Sequence, residues 1–209
     1  MTNLSRLSIV VALAGVIACG PKKPAEPTAE ETNPAVFFRA GVGTVQTPDR
    51  KTGAINYQKA YENFVRAAEL NGGVHANFNA GWVAEAMGRV DLAAKHYRSA
   101  YVADKNYEKS MFSLARVLKE NGQAEKAVAL YRDFLSSHPN NLDVRNDLVI
   151  ALSKAKSFDE AQAEAQEILR QDPQNPQVYR SLSSIYFDQN KLGMSQLCNE
   201  KALGLNEGD

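Results

Sequence analysis

The sequence predicts an all-α fold of five stacked helical hairpins, and two observations predict it. Between residues 74 and 141 the same residue types recur after 34 positions. The recurring positions are small at Gly81 and Ala115 and at Ala93 and Ala127, and aromatic at Tyr97 and Tyr131. Each copy also carries a turn glycine, Gly88 or Gly122, between two amphipathic stretches. Because one such pair of helices cannot bury its apolar face alone, it is expected to stack on the next pair.

The small residues mark the points where two helices cross closely, since a side chain larger than alanine would hold the helices apart. The aromatic residue four positions after Ala93 or Ala127 lies one turn further along the same helix face, and we expect it to fill the space between repeats. The register extends upstream to Ala60 and Phe64 and downstream to Ala161. It divides the array into units at about 34–73, 74–107, 108–141, 142–175 and 176–209.

The spacing A-x-x-x-Y and the run Pro139, Asn140, Asn141 after the third unit resemble the tetratricopeptide repeat. The resemblance covers about residues 34–209. It implies a right-handed superhelical solenoid whose first helices line a concave groove, and it implies binding of other proteins rather than any one function.

The first unit is longer than the others, because Gly41 and Gly81 are 40 positions apart. The additional residues include Thr47, Pro48 and Gly53, which stop helices. We therefore expect a loop over residues 47–55. It is either a tolerated surface insertion or part of a binding face.

Residues 1–18 have the pattern of a secretory signal peptide, with Arg6 followed by an apolar run that is too short to span a bilayer comfortably. The run Val16-Ile17-Ala18-Cys19 resembles a bacterial lipobox, which implies acylation of Cys19 and, with Gly20 following, an outer-membrane protein facing the periplasm. The alternative is an ordinary signal peptide in which Cys19 has no role. Residues 19–33 are rich in Pro, Glu and Thr, which predicts a disordered tether.

Composition and motifs argue against nucleic-acid binding and catalysis. Lys plus Arg and Asp plus Glu number 24 each, so there is no basic surplus for a nucleic acid. No phosphate-binding loop is present, and the three histidines have no metal-ligand spacing. Cys198 has no cysteine partner in the mature chain. We expect no enzyme activity, no cofactor and no metal.

By the resemblance, the groove positions combine aromatic and basic side chains. These residues are Phe78, Trp82, Lys109, Phe112, Arg116, Lys119, Arg180 and Phe187. Such a groove suits an extended or helical segment with apolar anchors and acidic residues. Three alternatives stay open: the two phenylalanines of units two and three are partly core, Trp82 is core, or the basic cluster is a solvated face.

The repeat pattern weakens towards the C-terminus. Ala165 and Asn199 replace the aromatic residue, and Leu192, Leu197 and Leu203 are expected to lack a covering helix. This exposed flank predicts either a docking face or a chain that continues into a longer protein.

These features together predict a lipid-anchored, non-enzymatic scaffold that binds another envelope protein. Residues 77–122 resemble the repeat lipoproteins of gliding-motility machines. The alternatives are a pilotin that assembles a type IV pilus or secretion secretin, and the targeting module of a longer envelope enzyme.

Overall fold

The computed structural model describes residues 28–206, and within this range the regular structure is entirely α-helical. The helices are α1 Pro34–Gln46, α2 Tyr57–Glu69, α3 Gly73–Ala86, α4 Val90–Ala103, α5 Glu108–Glu120, α6 Ala124–Ser137, α7 Leu142–Lys154, α8 Phe158–Gln171, α9 Pro176–Asp188 and α10 Leu192–Asn206. They form five successive hairpins, so the all-α prediction is confirmed.

Each helix packs mainly on the helices that precede and follow it in the chain, and α7 also contacts α9. Hairpins that contact their sequence neighbours in this way form a solenoid. None of the helices in residues 28–206 is both long and apolar enough to span a membrane.

Residues 28–32 form a separate short turn. The backbone N–H of Thr28 donates a 2.7 Å hydrogen bond to the Glu31 carboxylate. The predicted signal peptide, Cys19 and the tether up to residue 27 lie outside the described residues.

Asparagine caps fix where several helices begin. The Asn side chain accepts a hydrogen bond from a backbone N–H of the first turn, which satisfies a donor that has no partner within the helix. The capping residues are Asn33 at α1, Asn56 at α2, Asn141 at α7 and Asn175 at α9. Asn141 belongs to the Pro-Asn-Asn run of the sequence motif, so this part of the motif acts as a helix start.

The core of each early hairpin is built on a small residue and a ring. The side chains of Phe64 and Tyr97 are buried, and each ring lies against the backbone of a glycine in the first helix of its own hairpin. A Cβ atom added to Gly41 would lie 2.8 Å from the Phe64 ring, and one added to Gly81 would lie 2.7 Å from the Tyr97 ring. We expected these rings to fill space between repeats; in the structure they also pack within their own unit.

The loop between α1 and α2 occupies residues 47–56, as the long first spacing predicted. Its turn is held by Asp49, whose Oδ1 accepts hydrogen bonds from the backbone N–H groups of Lys51 and Thr52 at 2.9 and 2.8 Å. Gly53 in this loop has φ +68°, a conformation that glycine adopts without steric cost.

Candidate protein-binding groove

Trp82 is the most conspicuous side chain of the groove positions. It lies near the middle of α3 and remains 42% exposed, while its neighbours Gly81 and Val83 are buried. Its ring lies edge-on to Tyr57 with 6.4 Å between ring centroids. The structure therefore presents an indole supported by a second ring and accessible to a partner.

The phenylalanines of units two and three take part in the core. Phe78 and Phe112 are half-buried and pack against the main hydrophobic cluster. The Phe78 ring lies 5.5 Å from the Tyr97 ring and 5.4 Å from the Tyr107 ring. Phe78 and Phe112 are therefore partly core residues, which is one of the alternatives left open by the sequence.

Glu85 connects α3 to α5 at the centre of the predicted groove. Its carboxylate forms an ion pair with Arg116 at 2.7 Å and accepts a 2.9 Å hydrogen bond from the Tyr97 hydroxyl. Arg116 also pairs with Glu120 at 3.1 Å. Burial and the nearby Glu85 carboxylate raise the pKa of Tyr97, so the phenol stays protonated as a donor. The charge of Arg116 is therefore compensated by two carboxylates. The sequence analysis predicted the basic residue but not these ion pairs.

Lys119 is compensated in a different way. Its ammonium lies 5.5 Å from the centre of the Tyr131 ring, within the range of a cation–π contact. Burial raises the pKa of the Asp147 carboxyl, and the charge of Lys119 opposes that shift. Lys119 thus interacts with the Tyr131 ring of its own hairpin and with the Asp147 carboxyl of the next hairpin.

The remaining predicted groove residues are open to solvent but widely spaced. Lys109 at the start of α5 and Arg180 in α9 are exposed, and within residues 28–206 neither has a hydrogen-bond or ion-pair partner. Phe187 is 64% exposed at the end of α9. Helices α6 to α8 separate α5 from α9 along the chain. The structure joins Arg116 in α5 to Glu85 in α3, the helix that carries Trp82, and it places Arg180 and Phe187 in α9, two hairpins after α5.

Asn146 in α7 is a buried polar residue. Its Oδ1 accepts a 2.9 Å hydrogen bond from the Ser181 hydroxyl in α9. It therefore joins the fourth hairpin to the fifth. The candidate groove is therefore the surface of α3 and α5, on which Trp82, Lys109 and Arg116 are exposed.

Residues 28–206 contain no group of three or more His, Cys, Asp or Glu side chains arranged to hold a metal ion. Cys198 is free and buried, and burial raises the pKa of its thiol. A buried thiol with a raised pKa is a weak nucleophile, so its surroundings are those of a packing residue.

Two segments of the chain match the tetratricopeptide-repeat family. They span residues 56–108 and 118–185, and together they include more than half of the chain. These segments cover α2 to α4 and most of α6 to α9. No curated protein matches the chain in sequence.

Solved structures of repeat proteins share the fold. YrrB, described as a TPR protein with an unusual peptide-binding site, matches with a TM-score of 0.60 at 16% identity, over 83% of this chain and 87% of YrrB. A MamA structure matches with a TM-score of 0.63 at 15% identity, over 85% of this chain and 93% of MamA. MamA from Desulfovibrio magneticus RS-1 matches with a TM-score of 0.62 at 11% identity, over 84% of this chain and 96% of the MamA chain. Likeness at these identities establishes the fold.

Proposed function

We propose, for a chain built of tetratricopeptide repeats, that the array is a non-enzymatic scaffold that holds a segment of another protein against α3 and α5. The observation that carries this proposal is the exposed indole of Trp82. Burying an indole is strongly favourable, and Trp is among the residue types enriched at binding hot spots. The peptide-binding site named for YrrB supports a protein partner by analogy of fold.

The surroundings of Trp82 define the partner segment. Tyr57 extends the apolar surface on one side of the indole. The Glu85–Arg116 pair, which joins α3 to α5, offers both a carboxylate and a guanidinium. The exposed ammonium of Lys109 provides a positive charge with no acidic partner in the described part of the chain. We infer an extended or helical segment with an apolar anchor for Trp82 and an acidic residue for Lys109.

The test is partner recovery from detergent-solubilised envelopes with the full-length protein and two variants. Trp82→Ala removes the indole, and Met194→Ala is the matched control, since Met194 is an apolar residue on α10 with a similar exposed fraction of 46%. We expect Trp82→Ala to lose a partner that wild type and the control retain, with unchanged thermal melting. Recovery of the same proteins by all three would exclude the groove as the binding surface.

One further variant, Lys109→Glu, tests the charge requirement, and it should weaken binding of the recovered partner. Arg116→Glu is a poorer test because it places a third carboxylate beside Glu85 and Glu120. Equal affinity of wild type and Lys109→Glu for the partner would mean that no acidic residue of the partner pairs with Lys109.

We also propose that the protein is lipid-anchored through Cys19 and faces the periplasm from the outer membrane. The support is the lipobox-like run before Cys19. Multiple acyl chains give stable membrane attachment where a single chain does not. Cys19→Ser should move the protein from the membrane fraction to the soluble fraction, and a variant that stays with the membrane would contradict the anchor.

For the assembly that the scaffold serves, we propose a gliding-motility machine, on the resemblance of residues 77–122 to motility lipoproteins. The partner recovered above decides between this role and the alternatives. A secretin would identify a pilotin, and a reading frame that continues into a hydrolase motif would identify the targeting module of an envelope enzyme.

A further inference from the structure

A second candidate surface lies between α4 and α6, and buried leucines of α5 form part of its lining. It encloses a cavity of about 680 Å³. The cavity has an apolar part formed by Leu114, Leu118 and Leu130, and a basic part formed by Arg98, Lys105 and Lys126. We call it the α4–α6 cleft. Its volume is within the range of sites that bind ligands or side chains of a partner.

The α4–α6 cleft has an excess of positive charge. Its one carboxylate, Asp133, already accepts hydrogen bonds from the Tyr101 hydroxyl at 2.8 Å and from Lys105 Nζ at 2.9 Å. Lys126 donates to the neutral side chain of Gln123, and Arg98 has no hydrogen-bond or ion-pair partner within residues 28–206. Two of the cations that line the cavity, Arg98 and Lys126, therefore have no carboxylate partner within residues 28–206.

The next repeat supplies an internal comparison. Positions 34 residues after Arg98 and Lys126 are Arg132 and Glu160. Arg132 and Glu160 form an ion pair across the corresponding cleft between α6 and α8, and that cavity measures about 220 Å³. In the α4–α6 cleft Lys126 replaces the glutamate, so two like charges occupy the positions of an ion pair. The cleft that lacks the bridging pair is the larger one.

We propose that the α4–α6 cleft binds a protein segment that carries aliphatic side chains flanked by carboxylates. The leucines contact the aliphatic side chains, and the carboxylates of the segment pair with Arg98 and Lys126, as Glu160 pairs with Arg132 in the next cleft. Val102 is 71% exposed at the edge of the cleft and extends its apolar surface. A carboxylate between two cations removes their mutual repulsion, and the apolar floor favours a side chain over a sugar-phosphate backbone.

The experiment measures fluorescence anisotropy of a labelled peptide made of four repeats of Glu-Leu-Leu-Glu, titrated with the full-length protein. Peptides with Lys in place of Glu, and with Ser in place of Leu, test the two halves of the proposal. Lys126→Glu restores the charge pattern of the next cleft and should weaken binding by about tenfold or more. Lys201→Glu makes the same change of net charge on α10 and should leave the affinity unchanged. Thermal melting checks that both variants are folded.

Of the three peptides, we expect only the one with both Glu and Leu to bind, with an affinity that falls as the salt concentration is raised. Val102→Ser should weaken binding, and Trp82→Ala should not, which separates this site from the groove on α3 and α5. Three results would overturn the proposal: no binding of the acidic leucine peptide, equal affinity of wild type and Lys126→Glu, or binding of dodecanoate but not of the peptide. The last result would assign the cleft to a small amphipathic anion.

Discussion

Single positions decide how closely the helices of a hairpin approach. Gly81 in α3 lies under the Tyr97 ring, and a Cβ there would lie 2.7 Å from a ring carbon. Gly43 in α1 is also helical, but a Cβ there would meet nothing within 4 Å. Packing therefore requires glycine at position 81, whereas position 43 can accept a residue with higher helix propensity.

We expect Gly81→Ala to lower the free energy of unfolding by about 1–3 kcal/mol, because the buried ring must shift to admit the methyl group. Gly43→Ala should instead raise it by up to about 1 kcal/mol, since alanine favours the helix. Urea denaturation followed by circular dichroism measures both. Equal effects of the two substitutions would contradict the close approach at Gly81.

His96 is the residue at which stability should depend on pH. Its Nε2 lies 2.9 Å from the Tyr61 hydroxyl, and the two rings are 5.5 Å apart. Burial, together with the neighbouring charge of Lys95, lowers the pKa of His96 below its usual 6.5. Burial raises the pKa of the Tyr61 phenol, and the charge of Arg89 opposes that shift. The folded state therefore favours neutral imidazole.

Because the pKa of His96 is lower in the folded state, the unfolded state binds more protons as the pH falls. The stability is complete above the unfolded pKa of about 6.5 and falls as the pH decreases from there towards the folded pKa. We expect wild type to lose stability between about pH 7 and pH 5 relative to His96→Phe, which keeps a ring beside Tyr61. Urea denaturation at several pH values measures this difference, and a parallel pH dependence of the two proteins would contradict it.

The hairpin turns are the element at which the repeat is most regular. Gly88, Gly122, Lys156 and Asn190 follow one another at intervals of 34 residues and have φ between 59° and 71°. The residue after each donates a backbone hydrogen bond to the preceding helix, as Gln123 does to the Leu118 carbonyl at 2.8 Å. This is the Schellman arrangement, in which glycine is favoured and asparagine tolerated. Lys156 adopts the left-handed conformation without either advantage.

Lys156→Gly should raise the free energy of unfolding by about 0.5–1 kcal/mol. It relieves a side-chain clash that costs about 1–2 kcal/mol, and the greater entropy of glycine in the unfolded chain offsets part of that gain. The reciprocal change, Gly122→Ala at the same position of the preceding turn, should lower it by about 1 kcal/mol. Urea denaturation of both variants against wild type is the measurement. Destabilisation by Lys156→Gly would mean that the lysine side chain makes a favourable contact that outweighs its backbone conformation.

The elements were predictable from local signals, while the groove was only partly so. Turn residues, the 34-residue register and the long first spacing give the hairpins and the loop at 47–56. The polar contacts of α3, α5 and α7 join adjacent hairpins: Glu85 pairs with Arg116, 31 residues away, and Asn146 with Ser181, 35 residues away. Composition along one helix does not reveal such pairs. A search for opposite charges separated by about one repeat would have found the Glu85–Arg116 pair.

At the scale of the whole molecule, burial changes along the array. Phe158 and Leu169 in α8 pack against the main cluster, whereas the residues 34 positions later in α10, Leu192 and Leu203, are more than half exposed. The expectation that these leucines lack a covering helix is confirmed for the described residues. Asn199 in α10, where Tyr131 lies two repeats earlier, is also exposed. The α10 face is therefore part apolar and part polar.

This difference gives a matched pair of substitutions one repeat apart. Leu169→Ala should lower the free energy of unfolding by about 1–2 kcal/mol, because it removes methyl groups packed against the cluster. Leu203→Ala should change it by less than about 0.5 kcal/mol, because the side chain is 54% exposed. Both are measured by urea denaturation of the full-length protein at low concentration. A large loss for Leu203→Ala would mean that its side chain is covered in solution, and dependence of that loss on protein concentration would identify the cover as a second copy of the chain.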